Sequence, residues 1–156
     1  MREYLHICRN KLLALNMNWE SLDKELSEIV RKRIVLSKME YSDENYDDLE
    51  EELHDLEDDF NENYEEELAT HLEKIYAQLK SDTDILLPTA YLANQYKELL
   101  PDAKGSISYE VDGQQGVPIE SDQLGKVDLR IVLIPNPARF VLLVNGKQMK
   151  DLWRSR

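Results

Sequence analysis

The sequence predicts an α+β protein: a long antiparallel helical hairpin (two long helices) followed by a short helix and a small antiparallel β-meander. Three observations predict it. Residues 1–87 contain neither Gly nor Pro and carry apolar residues at heptad spacing. Residues 106–153 switch to alternating and β-branched segments divided by Gly, Pro and Asn-Gly turns. The acidic residues crowd into one run at helical spacing, which belongs on a solvated helix face.

The first seam reads Leu5, Cys8, Leu12, Leu15, Trp19, Leu22, Leu26, Ile29, Arg33, Leu36, in alternating steps of three and four. Arg33 is its one polar member. The unbroken phase favours a single helix over about residues 2–40, although Asn18 has the chemistry to cap a second helix starting at Trp19. The second seam reads Tyr46, Leu49, Leu53, Leu56, Phe60, Tyr64, Leu68, His71 or Leu72, Ile75, Leu79, with Ser42 or Asp43 as its cap and an end near Lys80–Ser81. Helices of about 39 residues each would be roughly 58 Å long. Joined by a few residues around Tyr41–Ser42, they pair antiparallel, residue i facing roughly residue 83 − i. That sets Arg31, Lys32 and Arg33 beside Glu50, Glu51 and Glu52, and leaves Asp23, Glu25 and Glu28 against Asp55, Glu57, Asp58 and Asp59.

Pro88 suits the first turn of a short helix whose apolar face is Tyr91, Leu92, Gln95, Tyr96, Leu99 and Leu100, ended by Pro101 and Gly105. Strands follow at Ser106–Val111, Val127–Ile134 and Arg139–Val144, the last central because it is almost continuously apolar. Asn145-Gly146 is a two-residue hairpin turn that sends Lys147–Trp153 back as a strand or short helix. The organisation is thus a hairpin over 1–81 and, packed on its base, a helix-plus-sheet part over 82–156.

The chain carries a net charge of −13. Between Met39 and Glu73 there is no Lys or Arg, and 17 of the 32 acidic residues lie there, so 15 acids face 19 Lys and Arg elsewhere, a balance of +4. Acidity of this size repels phosphates and argues against direct nucleic-acid binding. It suits a basic protein partner or divalent cations, or serves solely as a solvated face that keeps the chain soluble. No apolar run is long enough for a membrane helix, the N-terminus lacks an uninterrupted secretion-signal core, and the single Cys8 cannot form an internal disulfide. A cytoplasmic location is expected.

No catalytic constellation emerges, and no enzyme activity, cofactor or metal site is expected. Cys8 lies on the seam as a small core residue, no Ser has a Gly-x-Ser-x-Gly setting, and the glycines form no phosphate cradle. The Glu-x-x-His pairs Glu3/His6 and Glu51/His54 fall at opposite ends of the hairpin, too far apart to share metals. Asp55, Asp58, Asp59 and Glu62 share a helix face without converging loop oxygens. His71 reads as a boundary residue.

The expected function is therefore a non-enzymatic interaction module that binds a basic protein or a second copy of itself. Its surface would combine the acidic residues Asp55, Asp58, Asp59 and Glu62 with the hairpin tip: Ile34, Val35, Met39 and Tyr41, together with Asp43 and Glu44. In outline, the hairpin with acids near its tip is similar to the bacterial transcript-cleavage factors, with Asp43, Glu44 and Asn45 at the corresponding place. The C-terminal half departs from that family's β domain. The likeness implies, as an alternative, a metal-dependent accessory to a nucleic-acid enzyme acting through Asp43 and Glu44. A nucleic-acid-mimicking inhibitor or immunity protein is the third reading.

Overall fold

The computed structural model describes residues 18–122 and 125–156. Helix α1 spans Trp19–Ser37 and helix α2 spans Tyr46–Gln78. A 3-10 turn at Pro88–Tyr91 leads into six strands: β1 Lys97–Glu98, β2 Tyr109–Glu110, β3 Val117–Ile119, β4 Leu129–Ile134, β5 Arg139–Val144 and β6 Lys147–Arg154. β1 and β2 form a two-stranded ribbon, and β3-β4-β5-β6 form a four-stranded sheet, antiparallel throughout. The α+β hairpin-and-meander architecture is what the sequence predicts.

Among the described residues both seams face inward. Leu22, Leu26 and Ile29 of α1 are buried against α2, whose Leu53, Phe60, Tyr64, Leu68, Leu72 and Ile75 are buried in turn. Burying one such side chain contributes roughly 1.5–3 kcal/mol. These residues join those of the sheet in one continuous apolar cluster.

The long first helix is overturned at Asn18. Its backbone is extended (φ −92°, ψ 94°) and its side chain accepts the Ser21 N–H at 3.1 Å, so α1 starts at Trp19. The seam members Leu5, Cys8, Leu12 and Leu15, and the Glu3/His6 pair, lie outside the described residues. α2 also starts later than expected: Asn45 precedes it, and Asp43 accepts the Asn45 N–H within the connecting turn. At its far end, the Lys80 and Ser81 N–H groups return to the Ala77 and Tyr76 carbonyls, which puts Lys80 in the left-handed region (φ 52°).

The charge pairs follow the expected register only in part. Lys32 meets Glu52 at 2.9 Å as expected, but Arg33 meets Glu57 at 2.8 Å, about two helical turns beyond its expected partner. The acids of α1 do not face the acids of α2 either. Asp23 accepts the Asn136 N–H at 2.7 Å from the β4–β5 turn, and Glu25 lies beside Tyr64, whose hydroxyl is held above its ordinary pKa by burial and by that neighbouring charge.

The C-terminal half lies along the hairpin. Asn61 exchanges two hydrogen bonds with Thr89, the Tyr76 and Tyr91 hydroxyls meet at 2.7 Å, and Arg33 donates to the Ala93 carbonyl at 3.0 Å. Past Tyr91 the expected helix does not continue. Leu92, Ala93 and Tyr96 are buried in extended chain, because Tyr96 must place its hydroxyl between the Ala93 N–H (3.0 Å) and the Leu133 carbonyl (2.7 Å). Leu100, assigned to the helix's apolar face, is 91% exposed.

β4 and β5 are interior strands and buried along nearly their whole length, β5 being central as predicted. Asn145 and Gly146 (φ 51° and 81°) turn β5 back into β6. β6 is a strand, and Leu152 and Met149 each bulge out of its pairing with β5. β3 went unforeseen; it is an edge strand with Pro118 at its centre. Gly116 enters it at φ 78°, where a Cβ would collide with the Ile131 carbonyl.

Two substitutions test these backbone assignments by urea denaturation. Gly116→Ala should cost roughly 2–4 kcal/mol from combined strain and collision. Lys80→Gly relieves a left-handed lysine and should add about 1 kcal/mol.

Candidate functional site

Helix α2 has two unlike faces. Its seam is buried, and its outer face presents Asp47, Asp48, Glu51, Glu52, Asp55, Asp58, Asp59, Glu62, Glu65 and Glu66, all exposed. Asp48, Glu51, Asp55, Asp58, Glu62 and Glu65 follow one another in steps of three and four and so form a single row. The row runs for about 26 Å at 1.5 Å per residue. Among the described residues, only Glu52 of these ten has a cation within 4 Å, namely Lys32. Asp55, Asp58, Asp59 and Glu62, expected from the sequence to form the contact surface, all lie on this face. The same three-four spacing that marks an apolar seam also picks out Asp48, Glu51 and Glu65.

The tip residues separate into different settings. Ile34 packs against the core, so it is not the uncovered apolar residue the sequence suggested. Met39 is half-buried, Val35 is 51% exposed, and Tyr41 is 87% exposed with its ring 4.8 Å from that of Tyr46. Asp43 and Glu44 are exposed, and one Asp43 oxygen holds the Asn45 N–H at 2.9 Å. No group of three or more His, Cys, Asp or Glu side chains among the described residues is placed to hold a metal ion. No helix among them is long and apolar enough to cross a membrane.

His71 lies at the helix–sheet boundary. Its ring stacks on Trp153 of β6 at 4.7 Å and tilts against Trp19 of α1 at 5.7 Å; the two Trp rings are 5.2 Å apart. Burial in this aromatic cluster, with repulsion from Lys74, holds His71 below its ordinary pKa. The cluster ties α1, α2 and β6 together at one end, as the Arg33–Glu57 pair ties the helices to Ala93 towards the other.

No protein-family model, curated protein or solved structure matches this chain.

The His71 cluster makes stability pH-dependent with a definite sign. Because the folded pKa is depressed, the unfolded chain binds the proton more readily. Stability is fully present above the unfolded value of about 6.5 and is lost as pH falls through the folded one. Denaturation followed by tryptophan fluorescence should show stability falling from pH 7.5 to 5.5, with a flatter profile in His71→Gln.

Proposed function

We propose that the protein is a non-enzymatic interaction module, and that the outer face of α2, continued at the tip by Val35, Tyr41, Asp43 and Glu44, docks a basic protein surface. One observation carries this reading: the six-carboxylate row has no compensating cation among the described residues, while the opposite face of the same helix is buried. Like charges three and four residues apart each cost a helix roughly 0.2–0.5 kcal/mol. A cationic surface laid along the row removes that repulsion and gains screened attraction in its place, so association would steepen as salt is lowered.

Charge density supports a narrower version in which the partner is a nucleic-acid-binding protein. The ten exposed carboxylates from Asp47 to Glu66 occupy about 28 Å of helix axis, or roughly one charge per 3 Å. One strand of duplex DNA carries a phosphate about every 3.4 Å. A groove built for a phosphate backbone would meet a similar density on α2, and nucleic acid would then compete with this protein for the groove.

The triple variant Asp55→Asn, Asp58→Asn, Asp59→Asn separates the row's two effects. It should melt at a higher temperature than the parent, since repulsion is relieved. It should also bind its partners about tenfold more weakly, with a shallower salt dependence. The measurement is parallel capture from lysate on both proteins, eluted in salt steps, with nucleic acid added as competitor in a second arm. Equal capture by the two proteins would remove the acidic face from the account, and sedimentation at low and high salt tests whether the partner is a second copy.

A further inference from the structure

The opposite charge gathers elsewhere. Between α1 and the end of the sheet runs a cleft of about 580 Å³. Its volume lies in the range of small-molecule sites. One wall is a single face of α1, where Lys24, Ser27 and Arg31 recur at helical spacing. None of these three has a hydrogen bond or ion pair with the described residues, so their donors are uncommitted. The other wall brings Arg156 and Ser155.

The carboxylates present do not cancel this. Asp23 is only 13% exposed; it accepts the Asn136 N–H at 2.7 Å and lies 3.9 Å from the Arg156 guanidinium. With Asp23 set against Arg156, Glu20 is the remaining acid against Lys24 and Arg31, so the three cations and two carboxylates of the cleft leave a net charge of +1. The donors are two guanidinium groups, an ammonium and two hydroxyls, on opposing walls. A planar carboxylate is satisfied by one guanidinium fork, whereas a tetrahedral, multiply charged oxyanion takes donors from several directions.

We propose that this cleft binds a phosphate-bearing small molecule, with Lys24, Ser27 and Arg31 holding the phosphate from one wall and Arg156 and Ser155 from the other. Trp19 at the end of the cleft borders the organic portion. The site is independent of the acidic face of α2 and does not rest on the partner reading above.

The test is titration of the full chain with inorganic pyrophosphate at constant ionic strength, read by calorimetry and by the fluorescence of Trp19 and Trp153. Saturable binding is expected. It should weaken by about tenfold or more in Lys24→Ala/Arg31→Ala. Both positions are exposed, so the fold is retained, and a thermal melt verifies it. The triple variant of the acidic face, and Lys147→Ala/Lys150→Ala as a control for lost positive charge, should bind like the parent. Absence of saturation, an unchanged affinity in Lys24→Ala/Arg31→Ala, or an equal loss in the control pair would overturn the site. Citrate binding as tightly as pyrophosphate would overturn the phosphate assignment.

Discussion

The rest of the structure depends on what Arg33 does in the seam. An apolar residue there would have packed α1 on α2 and nothing more. The guanidinium instead holds Glu57 of α2 with two of its nitrogens and uses the third for the Ala93 carbonyl. The N–H of the same residue goes to the Tyr96 hydroxyl, which in turn donates to the Leu133 carbonyl of β4. A chain of charge-assisted and ordinary hydrogen bonds thus runs from α2 through α1 and the Ala93 segment into the sheet. In a low-dielectric setting such a chain is strong when complete and costly when broken, which makes it a device for specifying one arrangement.

That arrangement divides the surface by charge. Because the hairpin is overlaid by the C-terminal half on one side, α2 has a single face left for water, and the carboxylates occupy it. Of the acids of α1, Asp23 is drawn to the β4–β5 turn, where it serves the fold, and Glu25 sits beside Tyr64. Lys24 and Arg31, on the same helix, remain unpaired among the described residues and border a cleft. The molecule is therefore not uniformly acidic; it is polarised between two separate surfaces.

Much of this was legible in the residues. The two apolar seams could be read because a helix buries every third or fourth side chain whatever lies opposite, and Asn145-Gly146 because only one kind of turn suits it. Asn18 was ambiguous because the apolar phase passes through it unbroken, and the cap geometry that ends the ambiguity is local backbone conformation. The stretch after Tyr91 has helical propensity and yet is extended, since Tyr96 and the Ala93 peptide are claimed by partners in β4 and α1. β3 is three residues long with Pro118 inside, too short for any periodicity. The acidic row was visible in composition and spacing alike. The cleft was not, because its walls come from residues more than a hundred positions apart in the chain.

The two borders of the sheet bear on how this protein can meet anything else. At one border Pro118 has no N–H to give, and β3 offers only three residues. At the other, the Leu152 and Met149 bulges break the even ladder of β6, and Lys147 and Lys150 stand along it. Neither border is a template for an incoming strand. Growth of this four-stranded sheet by strand addition, with its indifference to side-chain identity, is disfavoured at both borders. A partner that docked on the acidic face of α2, as proposed, would be held by charge, so ionic strength and not a backbone ladder would set how firmly it stays.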